Sequence, residues 1–225
     1  MALATGIARA RARRRAADLP DALFVWVPKT AGTSLWELLA RAGGLKCVDP
    51  LSVRYEFPDR GLVTFGHAHY PSLVDQGALN PAFVDRAFRF AVVRHPVDRT
   101  ISLYEYLRKI GRLPVGISFR RFVEVIGDGG VEPVGAHHGD GLSTCNPQAA
   151  WLVDDAGVLR VDEVFRFECL ADAVDQLRTR FPIAGALPHH NTTDRRPRAD
   201  YLTPPILRMI EAAYRDDFTR FGYDL

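Results

Sequence analysis

The stretch Phe24-Val25-Trp26-Val27-Pro28-Lys29-Thr30-Ala31-Gly32-Thr33-Ser34-Leu35-Trp36 decides the fold. Its apolar start reads as a strand buried on both faces, as in a parallel sheet. A tight loop follows, and Thr33 or Ser34 opens a helix that carries Leu35, Leu38 and Leu39 at helical spacing until Gly43-Gly44. This order sets a helix N-terminus, with unpaired N–H groups and the positive end of its dipole, at the strand's carboxyl end. Lys29 adds a point charge, and Gly32 lets a ligand approach the backbone closely. The loop suits an anion, phosphate and sulfate equally.

Outward from this stretch the strand-to-helix alternation repeats. Residues 45–48, 62–66, 88–93 and 164–167 read as strands. Helices are expected over 73–79, from Pro96 through Leu107, over 119–126 and over 170–180. Asn80-Pro81 starts a further turn, and Thr203 with Pro204 gives an N-cap and first turn for a last helix reaching Asp217. The alternation predicts an α/β fold with a central, mainly parallel sheet flanked by helices. Residues 1–20 read as a basic lead-in, and 21–225 as a single domain.

Composition sets the outer limits. The chain has 225 residues, 47% hydrophobic and 25% charged, enough for one domain with a sizeable core. Its formal net charge is +2, and Arg9, Arg11, Arg13, Arg14 and Arg15 all precede the first acid, Asp18; removing those five leaves a body of −3. A mildly acidic body argues against a general nucleic-acid binder. Cys47, Cys145 and Cys169 are odd in number and lack C-x-x-C spacing, so reduced thiols in a cytoplasm are expected. No apolar run of membrane-spanning length occurs, and arginines interrupt the start before any signal-peptide core forms. A solvated tail is the expectation there, ahead of an organelle transit peptide.

A second anion signal lies in Arg94-His95-Pro96-Val97-Asp98-Arg99-Thr100-Ile101-Ser102-Leu103-Tyr104. Arg94 leaves the carboxyl end of a strand, where ligands bind in open α/β sheets. Its guanidinium can fork onto a phosphate, and Ser102 can add a hydroxyl. The plainer reading is a surface ion pair and an idle serine. The magnesium-nucleotide loop G-x-x-x-x-G-K-[ST] is absent, because Lys29 precedes Gly32, and no acidic spacing for a magnesium site accompanies the loop.

Residues 28–35 resemble the 5′-phosphosulfate loop of sulfotransferases, whose donor is 3′-phosphoadenosine-5′-phosphosulfate (PAPS). The pattern R-x-P-x-x-R-x-x-S-x-Y is similar to the one with which that family holds the 3′-phosphate. Both occur in the family's order, each at a strand-to-helix junction. The resemblance is strongest over 23–40 and 88–107, with a weaker echo in Arg166-Phe167-Glu168-Cys169-Leu170. Within the family it points to the carbohydrate-type branch, which includes heparan and dermatan 2-O-sulfotransferases. The resemblance implies a P-loop-NTPase-like three-layer fold. It places Lys29 at the bridging and 5′-phosphate oxygens, steadying charge on the leaving group. Thr30, Ala31, Gly32, Thr33 and Ser34 would hold the 5′-phosphosulfate, and Arg94 and Ser102 the 3′-phosphate. PAP, adenosine 3′,5′-bisphosphate, would be the product, and no metal is needed.

Sulfuryl transfer to a hydroxyl also needs a general base. His67 is the first choice and His69 the second, since residues two apart on an extended segment share a face. The 2-O-sulfotransferases carry His-Gly-His here, whereas this chain has Phe65-Gly66-His67, so Phe65 replaces the histidine usually given that role. A structural histidine and a His-x-His metal pair are the competing readings. Asn191, Thr193 and Arg195 lie where relatives have a loop over the nucleotide; they would touch it or an anionic acceptor, with a solvated loop as the equal alternative. Asn146-Pro147-Gln148 reads as a plain turn or as amides lining the acceptor site, and Trp26 and Trp36 as core residues. The expectation is a PAPS-dependent sulfotransferase acting in line on a hydroxyl of a carbohydrate, glycosylated or small-molecule acceptor. A non-catalytic nucleotide-binding module and a P-loop-like nucleotide kinase are the alternatives. Acceptor identity and oligomeric state are left open.

Overall fold

The computed structural model describes residues 18–47, 57, 59–75, 77–128, 143–188 and 196–225. Among them five strands form one sheet: β1 (Ala22–Val25), β2 (Leu45–Lys46), β3 (Leu62–Thr64), β4 (Phe88–Val93) and β5 (Glu163–Arg166). Their order is β2-β3-β1-β4-β5, and every neighbouring pair is parallel. All carboxyl ends therefore share one rim. β1 sits at the centre because both its faces are apolar, and each face meets its own core.

Alternation along the strands divides those cores. Leu23, Val25, Ala91 and Val93 point into one, with Val97, Ile101 and Leu107 of α4 (Pro96–Lys109). The same face is covered by α5 (Phe119–Gly127), α7 (Pro204–Ala213) and α8 (Arg215–Phe221), through Phe122, Ile210 and Phe218. Phe24, Phe90 and Val92 point the other way, against Leu35, Leu38 and Leu39 of α1 (Gly32–Ala42) and Leu170, Val174 and Leu177 of α6 (Leu170–Arg178). Two short helices, α2 (Tyr70–Asp75) and α3 (Pro81–Arg86), lie between β3 and β4. The result is the helix–sheet–helix layering expected of the alternating sequence.

Several boundaries differ from the sequence reading. The helix expected over 73–79 begins earlier, at Tyr70, because His69 caps it: its carbonyl accepts from Leu73 N–H and its Nδ1 from Ser72 N–H. Asn80-Pro81 opens a true helix, with the Asn80 side chain accepting from Ala82 N–H. The last helix is two, broken at Tyr214, whose ψ of 27° leaves the helical path. Thr203 makes no side-chain cap, so Pro204 alone marks that start. The Arg-rich segment 9–15 lies outside the described residues. No helix among the described residues is long and apolar enough to cross a membrane.

One buried cation ties the layers at the rim. Arg99 of α4 is 1% exposed. Its Nε donates to the Pro28 carbonyl at 3.1 Å, Nη1 to the Asn146 carbonyl at 3.1 Å and Nη2 to the Thr144 carbonyl at 2.8 Å. The loop after β1, helix α4 and the segment before β5 thus meet on one guanidinium. Arg99→Leu strands those acceptors in the interior, where each costs about 1–3 kcal/mol. Urea denaturation should show a loss of at least about 3 kcal/mol; a loss below about 1 kcal/mol would remove Arg99 from this role.

Candidate functional site

The carboxyl rim collects the residues that carry charge and hydroxyls. After β1 the chain turns through Lys29 at φ 68° and Ala31 at φ 64°, both left-handed and neither a glycine. Such residues occupy a sparsely populated region at a cost of order 1–3 kcal/mol each, and strain of this kind gathers at ligand clamps. Ala31 is the N-cap of α1 and gives no side-chain cap, so the first N–H groups of that helix receive none from it. Thr30 is fully buried, and its hydroxyl donates to the Val27 carbonyl at 2.9 Å, bracing the turn. Thr33 is exposed on the first turn of α1, and Ser34 is buried beside it.

Gly32 has a reason the sequence did not reveal. It has an ordinary φ; what forbids a side chain is Trp26, whose Nε1 would lie 1.7 Å from an added Cβ. Trp26 itself is 5% exposed, stacked on Phe24, with the Lys46 ammonium 4.3 Å above its ring. It is a core residue, as expected, and the loop is moulded over it.

Lys29 reaches back across the rim, with Nζ 4.0 Å from the centre of the Tyr106 ring. Burial pushes its ammonium down to about 8, and the positive charges of Arg94 and Lys109 add to the effect. Arg99, Ser102 and Tyr106 stand at i, i+3 and i+7 on α4 and so share a face. Arg99 grips Pro28 and Tyr106 holds Lys29, so the buried Ser102 between them faces the same loop. Arg94 follows β4, and its guanidinium lies 4.2 Å over the Phe167 ring at the end of β5. Phe167 and Glu168 belong to the weaker motif, and the Glu168 carboxylate accepts from His95 N–H at 2.8 Å and from the Tyr223 hydroxyl at 2.9 Å. His95 is structural: its Nε2 donates to the Asp224 carbonyl at 2.7 Å and its Nδ1 accepts from Val97 N–H at the helix start.

The histidines stand at the neighbouring strand end. Gly66, at φ 63°, turns the chain after β3, so Phe65 stays in the core while His67 meets Trp26 and Trp151 at the strand end. Phe65 packs edge-on to Phe57 in the core, 5.2 Å between ring centres. His67 packs edge-on to Trp26 at 5.1 Å, and its Nδ1 lies 3.1 Å from the Trp26 carbonyl oxygen. That oxygen can only accept, so Nδ1 carries the hydrogen and, in the neutral ring, the lone pair lies on Nε2. His69 is committed to α2, with Ser72 N–H and Oγ each 3.4 Å from its ring nitrogens. The two rings do converge, since both meet the buried Trp151 edge-on, at 6.5 Å and 6.4 Å.

Asn191, Thr193 and Arg195 lie outside the described residues. Gln148 is fully buried and bonded to backbone, so it does not line an open site. The sequence reading quoted Arg99 within its motif without giving it a role, and gave none to Tyr106, Trp151 or Asp217. Spacing along α4 carried a signal for the first two; nothing local marks the others.

The pattern described as the sulfotransferase family matches residues 17–224. Among solved structures the chain is similar to a sulfotransferase from Alicyclobacillus acidocaldarius, at 16% identity and a TM-score of 0.55, covering 92% of this chain and 97% of that one. It is also similar to mouse sulfotransferase SULT7A1 complexed with PAP, at 15% identity and a TM-score of 0.48, covering 92% and 89%. Curated proteins give no significant sequence match. At 16% identity the first of these shows the fold alone, the parallel α/β arrangement described above.

A desolvated ammonium costs stability wherever it is charged. Because the folded form holds Lys29 near 8, below its ordinary 10.5, that cost is complete below about pH 8 and fades as pH rises toward 10.5. Lys29→Met should therefore raise the melting temperature at pH 7, and the gain should shrink between pH 8 and 10.5. Melting curves across that range check it; a gain independent of pH would refute the assignment.

Proposed function

The chain belongs to the sulfotransferase family, and from that premise we propose that it moves a sulfuryl group from PAPS to a hydroxyl of a carbohydrate, glycosylated or other small acceptor. PAP would be released, and the enzyme would stand in the carbohydrate-type branch. The observation that carries this reading is the loop of residues 28–34, an N–H-rich helix start held in strained backbone with a desolvated lysine beside it. Arg94 at the next strand end adds a second positive centre whose charge is felt at Lys29. Two such centres on one rim suit a donor phosphorylated at both ends.

PAPS held there would supply the sulfuryl group and an anionic leaving group. Lys29 would set its charge against that leaving group, the point where electrostatic help counts most. The backbone of Ala31 and Gly32 with Thr33 and Ser34 would hold the 5′ end; Thr30 would act through its bond to Val27. Arg94 and Ser102 would take the 3′-phosphate, with Asn191, Thr193 and Arg195 as further contacts to the nucleotide or an anionic acceptor. His67 would accept the acceptor's proton on Nε2, while its Nδ1–H, directed at the Trp26 carbonyl, steadies the imidazolium that forms. His69 is the second choice, because its ring already serves α2. Three cysteines, an odd number without C-x-x-C spacing, support a reducing, cytoplasmic setting. A second reading, a nucleotide-binding module without turnover, is favoured by one observation: the buried Phe65 stands where the resemblance puts a histidine.

Thermal shift separates the donor from other nucleotides. PAP without metal should stabilise the protein by mass action, about 2.7 kcal/mol at a hundredfold excess over Kd. An equal or larger shift with magnesium-ATP would favour a kinase instead. His67→Ala should lower turnover roughly 10²–10⁴-fold while leaving the PAP shift intact. Near-normal turnover would pass the base role to His69, and absence of turnover in the parent protein across sugar and phenol acceptors would favour the binding module.

A further inference from the structure

Beyond Val93 the backbone leaves the sheet, since Val93↔Arg166 is the last pairing of β4 with β5. The peptide groups of Arg94 must find other partners. Gln148 supplies both: its Oε1 accepts from Arg94 N–H at 2.8 Å, and its Nε2 donates to the Arg94 carbonyl at 2.8 Å. A primary amide offers one acceptor and one donor side by side, as a peptide group does, so this side chain acts as one further rung of the sheet.

Gln148 is held in turn by Asp217 of α8. One carboxylate oxygen accepts from Gln148 N–H at 2.9 Å and lies 3.3 Å from Gln148 Nε2; the other accepts from Ala149 N–H at 2.8 Å. Both residues are fully buried. On the far side, Glu168 takes the next amide, His95 N–H, at 2.8 Å, and Pro96 then starts α4. The root of Arg94 is thus fixed by side chains from remote segments, and its guanidinium rests on Phe167.

We infer that Gln148, anchored by Asp217, is a positioning residue for Arg94: its amide sets the backbone from which Arg94 reaches an adenosine 3′-phosphate, so it determines selectivity for a 3′-phosphorylated nucleotide without touching it. The inference rests on the donor reading above. A carbon side chain at 148 fills the space yet leaves the Arg94 peptide free to rotate, and a small rotation at the root displaces a long guanidinium by far more than a hydrogen bond tolerates.

The test compares calorimetric Kd values for PAP and for adenosine 5′-phosphate, which lacks the 3′-phosphate, in the full chain. The parent should prefer PAP. In Gln148→Ala that preference should fall about tenfold, while affinity for adenosine 5′-phosphate stays within about twofold. Gln148→Met, close to isosteric, reads the same quantity should the alanine variant not fold, and near-UV circular dichroism confirms native packing. Equal weakening of both ligands would mark Gln148 as merely structural and overturn the inference, as would an unchanged preference. A parent protein that does not prefer PAP would overturn the donor reading itself, and the selectivity role with it.

Discussion

The guanidinium of Arg99 is the contact on which the rim depends. Removing a cation from water is expensive, and an arginine persists at 1% exposure only because carbonyls at Pro28, Thr144 and Asn146 take its donors. Each of those carbonyls belongs to a segment without regular structure, which has no ladder of its own to satisfy it. Arg99 thereby turns loops into fixed parts. Tyr214, at the break between α7 and α8, closes the arrangement, its hydroxyl donating to the Cys145 carbonyl at 2.8 Å. Burial pushes that phenol upward, so it remains a donor.

Rigidity here allows strain nearby. Lys29 and Ala31 sit in left-handed backbone, and Lys29 carries a charge that burial disfavours. An isolated loop would relax out of this shape. Anchored by Arg99 on Pro28, by Thr30 on Val27 and by the Trp26 ring under Gly32, it does not. The stability given up there leaves the N–H groups of the loop and of the first turn of α1 already in place, so the anion site proposed for them would need no reorganisation when a ligand arrives. Tyr106 shields the ammonium through its ring face while leaving it a charge to offer.

The segment 143–151 reaches the rim at two places. Gln148 holds the backbone of Arg94, and Trp151, three residues on, lies edge-on to both His67 and His69. Asp217 anchors the start of that turn through backbone N–H groups; burial pushes its carboxyl up, while Arg99 and those donors pull it down. The Arg94 and histidine ends of the rim therefore share one support, and α8 is part of it.

By itself the sequence determined the layers and the strand–loop–helix that carries Lys29. Continuous apolar runs make buried parallel strands, helical spacing makes covering helices, and a lysine before a helix start gathers positive charge at the strand's end; each effect acts over a few neighbouring residues. Local pattern also marked Arg94, Ser102, His67 and His69. Tertiary structure alone decided why Gly32 is glycine, since the obstacle is the Trp26 ring. It alone directed His67 rather than Phe65 to the rim, through the left-handed turn at Gly66. It alone gave Gln148 its partner 54 residues away and Asp217 its partner 69 away. Side-chain amides and carboxylates bond whatever backbone the fold brings within about 3 Å, and chain spacing holds no record of that encounter.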